Sequence, residues 1–114
     1  MLKRYALLFV IPLGLAACAN QTALDRVTIL EQSLTAAETG FIGYLSLPDC
    51  DRNPAPCSDD AVVARVQPLD NAAFNAVQTY RDAVIAGQAD TILKELLAAA
   101  QTAIAALATA TNSL

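Results

Sequence analysis

The sequence of 114 residues contains no histidine and no tryptophan, and it has only seven basic residues. Histidine is the most frequent general base and metal ligand in proteins, and Ser-His and Cys-His nucleophile pairs depend on it. Because the standard catalytic constellations cannot be assembled without it, we expect no enzymatic activity, no catalytic residue and no cofactor. The scarcity of lysine and arginine also argues against nucleic-acid binding, which requires clustered positive charge.

Two of the basic residues, Lys3 and Arg4, lie at the start of the sequence. They precede an uncharged apolar run from Tyr5 to Leu15. A positive start followed by about 7–15 apolar residues is typical of a secretory signal peptide. The run is too short for a membrane-spanning helix, which needs about 20 apolar residues. We therefore predict that residues 1–17 are a signal peptide that is removed on export.

The apolar run ends in Leu15-Ala16-Ala17-Cys18. This segment resembles the lipobox of bacterial lipoproteins, in which small residues precede a cysteine that becomes the lipidated N-terminus. The resemblance implies cleavage before Cys18, followed by attachment of a diacylglycerol thioether and an amide-linked acyl chain such as palmitate. Two or more acyl chains anchor a protein stably, whereas one chain binds a membrane only reversibly. The alternative is an ordinary secretory cleavage site at the alanines that flank Cys18.

The identity of residue 19 indicates which membrane, inner or outer, such a lipoprotein would occupy. In Gram-negative lipoproteins an aspartate after the lipidated cysteine commonly causes retention in the inner membrane, and this chain has Ala19 at that position. The resemblance therefore implies a location in the cell envelope, on the outer membrane facing the periplasm if the organism is Gram-negative. Beyond Cys18 we identify no family resemblance.

Removal of the signal peptide leaves 97 residues, enough for one small domain with its own core. Residues 18–21 are expected to be the lipidated N-terminus and a short leader, and residues 22–114 the folded domain. Five basic residues then stand against eleven acidic ones, which gives a net charge of −6. Electrostatic docking on anionic lipid is therefore not expected, and the acyl chains supply the membrane attachment.

Abundant alanine favours helix over sheet, and apolar residues recur three and four positions apart in three stretches, as in amphipathic helices. The first stretch runs from about Thr22, where Thr-Ala-Leu-Asp is typical of a helix start, to about Leu45. The apolar positions that we predict to be buried are Val27, Leu30, Leu34, Ala37, Phe41, Tyr44, Val62, Val63, Val66, Ala73, Val77, Tyr80, Val84, Leu93, Leu96, Ala100, Ala103 and Leu107.

The later stretches contain start and stop signals. Ser58, which two aspartates follow, is predicted to cap the second helix. Pro68 then predicts either a kink or two helical pieces, with Asp70 capping the second piece. Gly87 followed by Asp90 predicts a break and a new N-cap, although the apolar spacing would also suit one uninterrupted helix. With the break, the fold class is all-α: a small antiparallel bundle of three helices, the last of which frays from Thr109 onward.

Between the first two helices, residues 47–58 contain three prolines together with aspartate and asparagine, which predicts a loop. Cys50 and Cys57 lie near its ends, and export would place them in an oxidising compartment, so we predict a disulfide that clips the loop. A redox motif or a zinc site is disfavoured, because C-x-x-C spacing and histidine ligands are both missing. EF-hand spacing is missing too, so we attribute the neighbouring aspartates to solvation and helix capping and expect no metal.

The sequence therefore predicts a small non-enzymatic lipoprotein that acts as an interaction or structural module of the cell envelope. Arg52 and Asn53, polar residues between the two loop cysteines, are the candidates for contact with an envelope protein. One alternative is an accessory or inhibitory lipoprotein of an envelope enzyme, a secretion machine or a phage-type lysis or exclusion system. Another is a carrier of a small apolar ligand inside the bundle. Residues 96–110 are uncharged and rich in alanine, but polar residues interrupt them, so membrane insertion is not expected.

Overall fold

The computed structural model describes residues 22–114, which form three α-helices and contain no β-strand. Helix α1 comprises Ala23–Leu45, α2 comprises Asp60–Ile85, and α3 comprises Asp90–Asn112. Each helix packs against both of the others. The predicted all-α class with three helices is therefore confirmed. The predicted signal peptide, Cys18 and the leader lie outside the described residues.

Two contacts define the relative direction of α1 and α2. The Arg81 guanidinium of α2 lies 3.8 Å from the Glu31 carboxylate of α1. Thirteen residues further along α1, the Tyr44 hydroxyl accepts a hydrogen bond of 2.8 Å from the backbone N–H of Asp59, the residue that precedes α2. Higher numbers in α1 thus pair with lower numbers in α2, and the two helices are antiparallel.

Two further contacts define the relative direction of α1 and α3. Ser33 of α1 and Gln101 of α3 line the same surface depression, of about 220 Å³. Further along both helices, Gly40 lies beside Thr111, so closely that a Cβ atom on residue 40 would be 3.3 Å from the Thr111 Cβ. The helices α1 and α3 are therefore parallel, and the bundle runs up, down and up.

The predicted start of α1 is confirmed. The Thr22 hydroxyl accepts a hydrogen bond of 3.3 Å from the Asp25 N–H, and the Asp25 carboxylate accepts one of 3.2 Å from the Thr22 N–H. This reciprocal capping box satisfies two donors that a helix start leaves unpaired. The predicted cap of α2 is wrong by one residue: Asp59, not Ser58, is the N-cap, and its carboxylate accepts a hydrogen bond of 2.8 Å from the Ala61 N–H.

Pro68 does not divide α2, which continues through it from Asp60 to Ile85. The prediction of two helical pieces is therefore wrong, and Asp70 lies inside the helix instead of capping a new one. Proline removes the N–H that would bond to the carbonyl of Ala64. Because Pro68 and Ala64 are both exposed, water can satisfy that carbonyl.

The predicted break between α2 and α3 is confirmed. Gly87 follows the end of α2 with φ +70°, in the left-handed region that glycine adopts readily. The prediction that Asp90 is the N-cap is wrong: Ala89 holds that position without a side-chain hydrogen bond. Asp90 is the first helical residue, where the helix dipole still favours its charge.

The end of α3 also differs from the prediction. The helix does not fray from Thr109 but continues to Asn112. The Thr111 and Ser113 hydroxyls donate hydrogen bonds of 3.0 Å and 2.8 Å to the carbonyls of Ala108 and Ala110. The Ser113 bond satisfies the Ala110 carbonyl, one of the last four carbonyls of α3, which have no helical partner.

The core lies along the bundle axis and draws on all three helices. The pattern of three and four predicted every buried position of residues 22–114 except Ile104. Seven of the positions that it predicted to be buried are only half-buried: Tyr44, Val62, Val63, Val84, Leu93, Leu96 and Ala103. The alanines at 73 and 100 are fully buried, which allows close approach of the helices that carry them. The buried apolar residues are Val27, Leu30, Leu34, Ala37, Phe41, Val66, Ala73, Val77, Tyr80, Ala100, Ile104 and Leu107.

Helix α3 is the one described helix that is long and apolar enough to cross a membrane by length and composition, with a mean hydropathy of 1.4. Core helices of globular proteins pass the same test. In this bundle Ala100, Ile104 and Leu107 of α3 are packed into the core, but only 17% of the apolar window of the helix is buried.

Candidate functional site

The candidate site is the loop of residues 47–58, which we call the clipped loop. Cys50 and Cys57 form the predicted disulfide, with their Cα atoms 4.9 Å apart. Beside the disulfide, the Cys50 N–H donates to the Ser58 carbonyl (3.0 Å) and the Ser58 N–H donates to the Pro48 carbonyl (2.7 Å). One covalent bond and two backbone hydrogen bonds thus close the neck of the loop.

Within the clipped loop, Asp49 organises the backbone of the residues that follow it. Its carboxylate accepts a hydrogen bond of 3.2 Å from the Asp51 N–H. Its carbonyl accepts bonds from the Arg52 N–H (3.3 Å) and from the side-chain amide of Asn53 (3.0 Å). Bonds of this type are characteristic of tight turns built on aspartate and asparagine. Residues 49–53 therefore present a fixed turn to solvent.

The two predicted contact residues differ in what they can offer a partner. Both are exposed. The Asn53 amide is engaged with the Asp49 carbonyl and so helps to fold the loop. The Arg52 guanidinium, by contrast, forms no ion pair with any carboxylate of residues 22–114. Arg52 is therefore the better candidate for an intermolecular contact, and Asn53 has a structural role that the sequence did not indicate.

Tyr44 connects the clipped loop to the bundle. Its hydroxyl accepts the hydrogen bond from the Asp59 N–H at the start of α2, and its carbonyl accepts one of 3.1 Å from the Leu47 N–H. The last turn of α1 thus positions both of the chain segments that form the loop neck. The sequence placed Tyr44 on the apolar stripe but gave no signal for this link, because the hydroxyl partner lies 15 residues away.

The surface around the neck is both apolar and acidic. Exposed Ile42 and Leu45 lie on the last turns of α1. The carboxylates of Asp49, Asp51 and Asp60 are exposed and lie within 4.8 Å of one another. An open depression of about 270 Å³ beside the neck is lined by Leu45, Leu47, Asp49, Ser58, Asp60 and Val63. This chemistry suits a protein partner with apolar and basic groups better than an anionic lipid surface.

A second pair of acids lies midway along the bundle, between α1 and α2. Burial raises the pKa of Glu38, and a hydrogen bond with Asp70 and the negative charge of Asp70 raise it further. The Oδ1 atom of Asp70 is buried and has no hydrogen-bond partner. Because the charge of Asp70 disfavours a second negative charge on Glu38, the pair is better satisfied when it carries one charge than when it carries two.

No protein-family model, curated protein or solved structure matches the chain. The function is therefore inferred from the chemistry and geometry of the chain itself.

Proposed function

We propose that the protein is a lipid-anchored envelope lipoprotein that acts as a non-enzymatic interaction or structural module, with the clipped loop as its contact surface. The observation that supports this proposal is that the clipped loop lies at the end of the bundle opposite the start of α1. Helix α1 starts at Ala23, five residues after Cys18 in the sequence, and its last turn holds the loop neck. A helix of 23 residues is about 35 Å long, so the loop neck lies about that distance from the start of α1.

The fixed shape of the clipped loop supports a role in binding. A loop that is already ordered loses little conformational freedom when it meets a partner, so more of the contact energy appears as affinity. Arginine is enriched among the residues that dominate protein interfaces, and Arg52 is exposed with its charge unpaired within residues 22–114. The apolar surface of Ile42 and Leu45 lies near the loop neck and would add to the contact.

The packing of the core weighs against the carrier alternative. A cavity that holds a ligand leaves accessible surface on the side chains that line it. Five core side chains, spread over α2 and α3, have none: Val66, Ala73, Val77, Ala100 and Leu107. An accessory or inhibitory lipoprotein would use the same loop surface, so that alternative concerns only the identity of the partner.

The anchor is tested by the intact mass of protein extracted from membranes. We expect a chain that begins at Cys18 and carries a diacylglycerol group and an amide-linked acyl chain. The variant Cys18→Ser should lose the acyl groups and leave an unprocessed precursor or a protein cleaved elsewhere, because serine has no thiol to form the thioether. A native protein that is soluble, unmodified and begins at Ala19 or later would contradict the proposal.

The contact surface is tested by affinity capture from detergent-solubilised envelopes with Arg52→Ala. Arg65→Ala is the matched control, because Arg65 is an exposed arginine on the first turns of α2. We expect one stoichiometric partner to be retained by wild type and Arg65→Ala and to be weakened with Arg52→Ala. Both variants should melt close to wild type, because exposed substitutions typically change stability by less than about 0.5 kcal/mol. Equal capture by wild type and by a variant with residues 51–56 scrambled would exclude the loop.

A further inference from the structure

Three large apolar side chains are exposed at the end of the bundle opposite the clipped loop. Leu24 is 63% exposed, Ile85 is 68% exposed and Ile92 is 42% exposed. Each comes from a different helix: the first turn of α1, the last turn of α2 and the first turn of α3. We call this part of the molecule the anchor end.

The contact between α1 and α2 shows how far along the bundle axis Leu24 and Ile85 lie. Arg81 and Glu31 face each other across the two helices. Leu24 lies seven residues from Glu31 and Ile85 lies four residues from Arg81, in the same direction along the bundle because the helices are antiparallel. At 1.5 Å per residue these side chains lie about 10 Å and about 6 Å beyond the ion pair.

The contact between α1 and α3 shows how far along the bundle axis Ile92 lies. Gly40 and Thr111 lie side by side on parallel helices. Counting back along each helix from this contact, Ile92 lies about 15 Å beyond Glu31, on the same side as the other two. All three apolar side chains thus fall within the outermost part of one end of the bundle.

The chain that leads to Cys18 leaves from this same end. Three residues lie between Cys18 and Thr22, and even when fully extended the four residue steps that join them span at most about 14 Å. This step rests on the proposed lipid anchor. Acyl chains on Cys18 would hold the anchor end close to the bilayer surface, where a high effective concentration makes even a weak contact well populated.

The charges at the anchor end do not favour an alternative based on anionic lipid. Asp25, Asp82 and Asp90 lie in the terminal turns of the three helices, near Arg26 and Lys94. With both signs present, this end has no basic cluster of the kind that binds acidic headgroups. The anchor end can contact a membrane through its apolar surface, and such a contact does not depend on the charge of the lipid.

We propose that the anchor end, through Leu24, Ile85 and Ile92, rests in the interfacial region of the bilayer that holds the acyl chains of Cys18. The bundle then stands on the membrane, and the clipped loop faces away from it.

The absence of tryptophan from the sequence provides a direct test. The variants Ile85→Trp and Ile42→Trp each carry a single tryptophan, which can be excited at wavelengths that tyrosine does not absorb. Ile42 is the matched control, because it is 59% exposed and lies at the loop end. The full-length acylated proteins would be reconstituted into vesicles of phosphatidylcholine and phosphatidylethanolamine, with and without dibrominated phosphatidylcholine as quencher. We expect a blue shift and a several-fold loss of fluorescence for residue 85, and neither for residue 42.

A second set of variants controls for the affinity of tryptophan itself for membranes. Replacing Leu24 and Ile92 by serine in the Ile85→Trp background should reduce the quenching, because the neighbouring apolar contacts are lost. Equal quenching at positions 85 and 42, or none at either position in protein that floats with the vesicles, would overturn the proposed contact and leave the anchor intact. A blue shift at position 85 without quenching would also overturn it and would indicate a second copy as the occupant. Protein that does not float with the vesicles at all would contradict the anchor instead.

Discussion

The two ends of the bundle are built in different ways. At the loop end, a disulfide, backbone hydrogen bonds and the Tyr44 hydroxyl hold the chain in place. At the anchor end, α2 and α3 are joined only by residues 86–89, with Gly87 in the left-handed region, and large apolar side chains remain exposed. Both ends keep exposed apolar side chains that contact with a further surface would bury. At the loop end they surround a loop closed by a disulfide, whereas at the anchor end they lie beside a short connection with no such closure.

The largest predicted loss of stability comes from a substitution in the core, which joins the two ends. Leu34→Ala removes a side chain that is 6% exposed in the middle of α1, and we expect it to reduce the free energy of unfolding by about 2–5 kcal/mol. Urea or thermal unfolding measures this change. That is a large fraction of the stability of a domain of this size.

The matched control for the core is Leu24→Ala, the same substitution in the same helix at the anchor end. Because Leu24 is largely exposed, we expect a change of less than about 0.5 kcal/mol in detergent-free solution. If both variants lost similar amounts of unfolding free energy, Leu24 would be buried in solution. The anchor end would then expose less apolar surface than the structure indicates.

An intermediate effect, confined to the loop end, is expected from removal of the disulfide. The Cys50→Ser/Cys57→Ser double variant should remain helical but lose about 2–3 kcal/mol, the chain-entropy estimate for a short loop. Hydrogen exchange should become faster for amides near Cys50 and Ser58 and stay unchanged near Thr22 and Gly87. Two free thiols in protein taken from an oxidising compartment would contradict the role of the disulfide.

The sequence predicted what depends on local pattern. The spacing of apolar residues gave the helices and nearly all of the core, and Thr22 and Gly87 gave a start and a stop. Ile104 was missed because α3 is apolar over much of its circumference, so that spacing alone does not single out the buried face. Pro68 was overestimated as a breaker, because tertiary packing of its neighbours Val66 and Leu69 holds the helix together across it.

The features that the sequence could not predict depend on residues brought together only by the fold. Tyr44 meets the Asp59 backbone across the loop, and Asn53 folds back onto Asp49. The anchor end combines one residue from each of three helices. In the sequence Leu24 and Ile85 are separated by 60 other residues, and neither belongs to a motif.

The smallest predicted effect lies midway between the two ends, at Glu38 and Asp70, and depends on pH. The pKa of Glu38 is raised in the folded state, so the folded protein holds this proton more tightly than the unfolded chain. The contribution to stability is therefore fully present below the unfolded pKa of about 4.3 and is lost as the pH rises through the folded pKa. Above the folded pKa of Glu38, the negative charge of Asp70 disfavours the ionised form of Glu38.

Glu38→Gln should relieve this repulsion above the folded pKa of Glu38, because an amide carries no charge and can donate to the Asp70 carboxylate. We expect a gain of about 0.2–0.5 kcal/mol, the scale of like-charge pairs on solvated helix surfaces. The gain should disappear below about pH 4, where Glu38 is itself protonated. Thermal unfolding of the variant and wild type from pH 4 to pH 8 measures the difference, with Glu95→Gln, an exposed glutamate on α3, as control. A difference between Glu38→Gln and wild type that is the same at every pH would show that Asp70 does not affect the ionisation of Glu38.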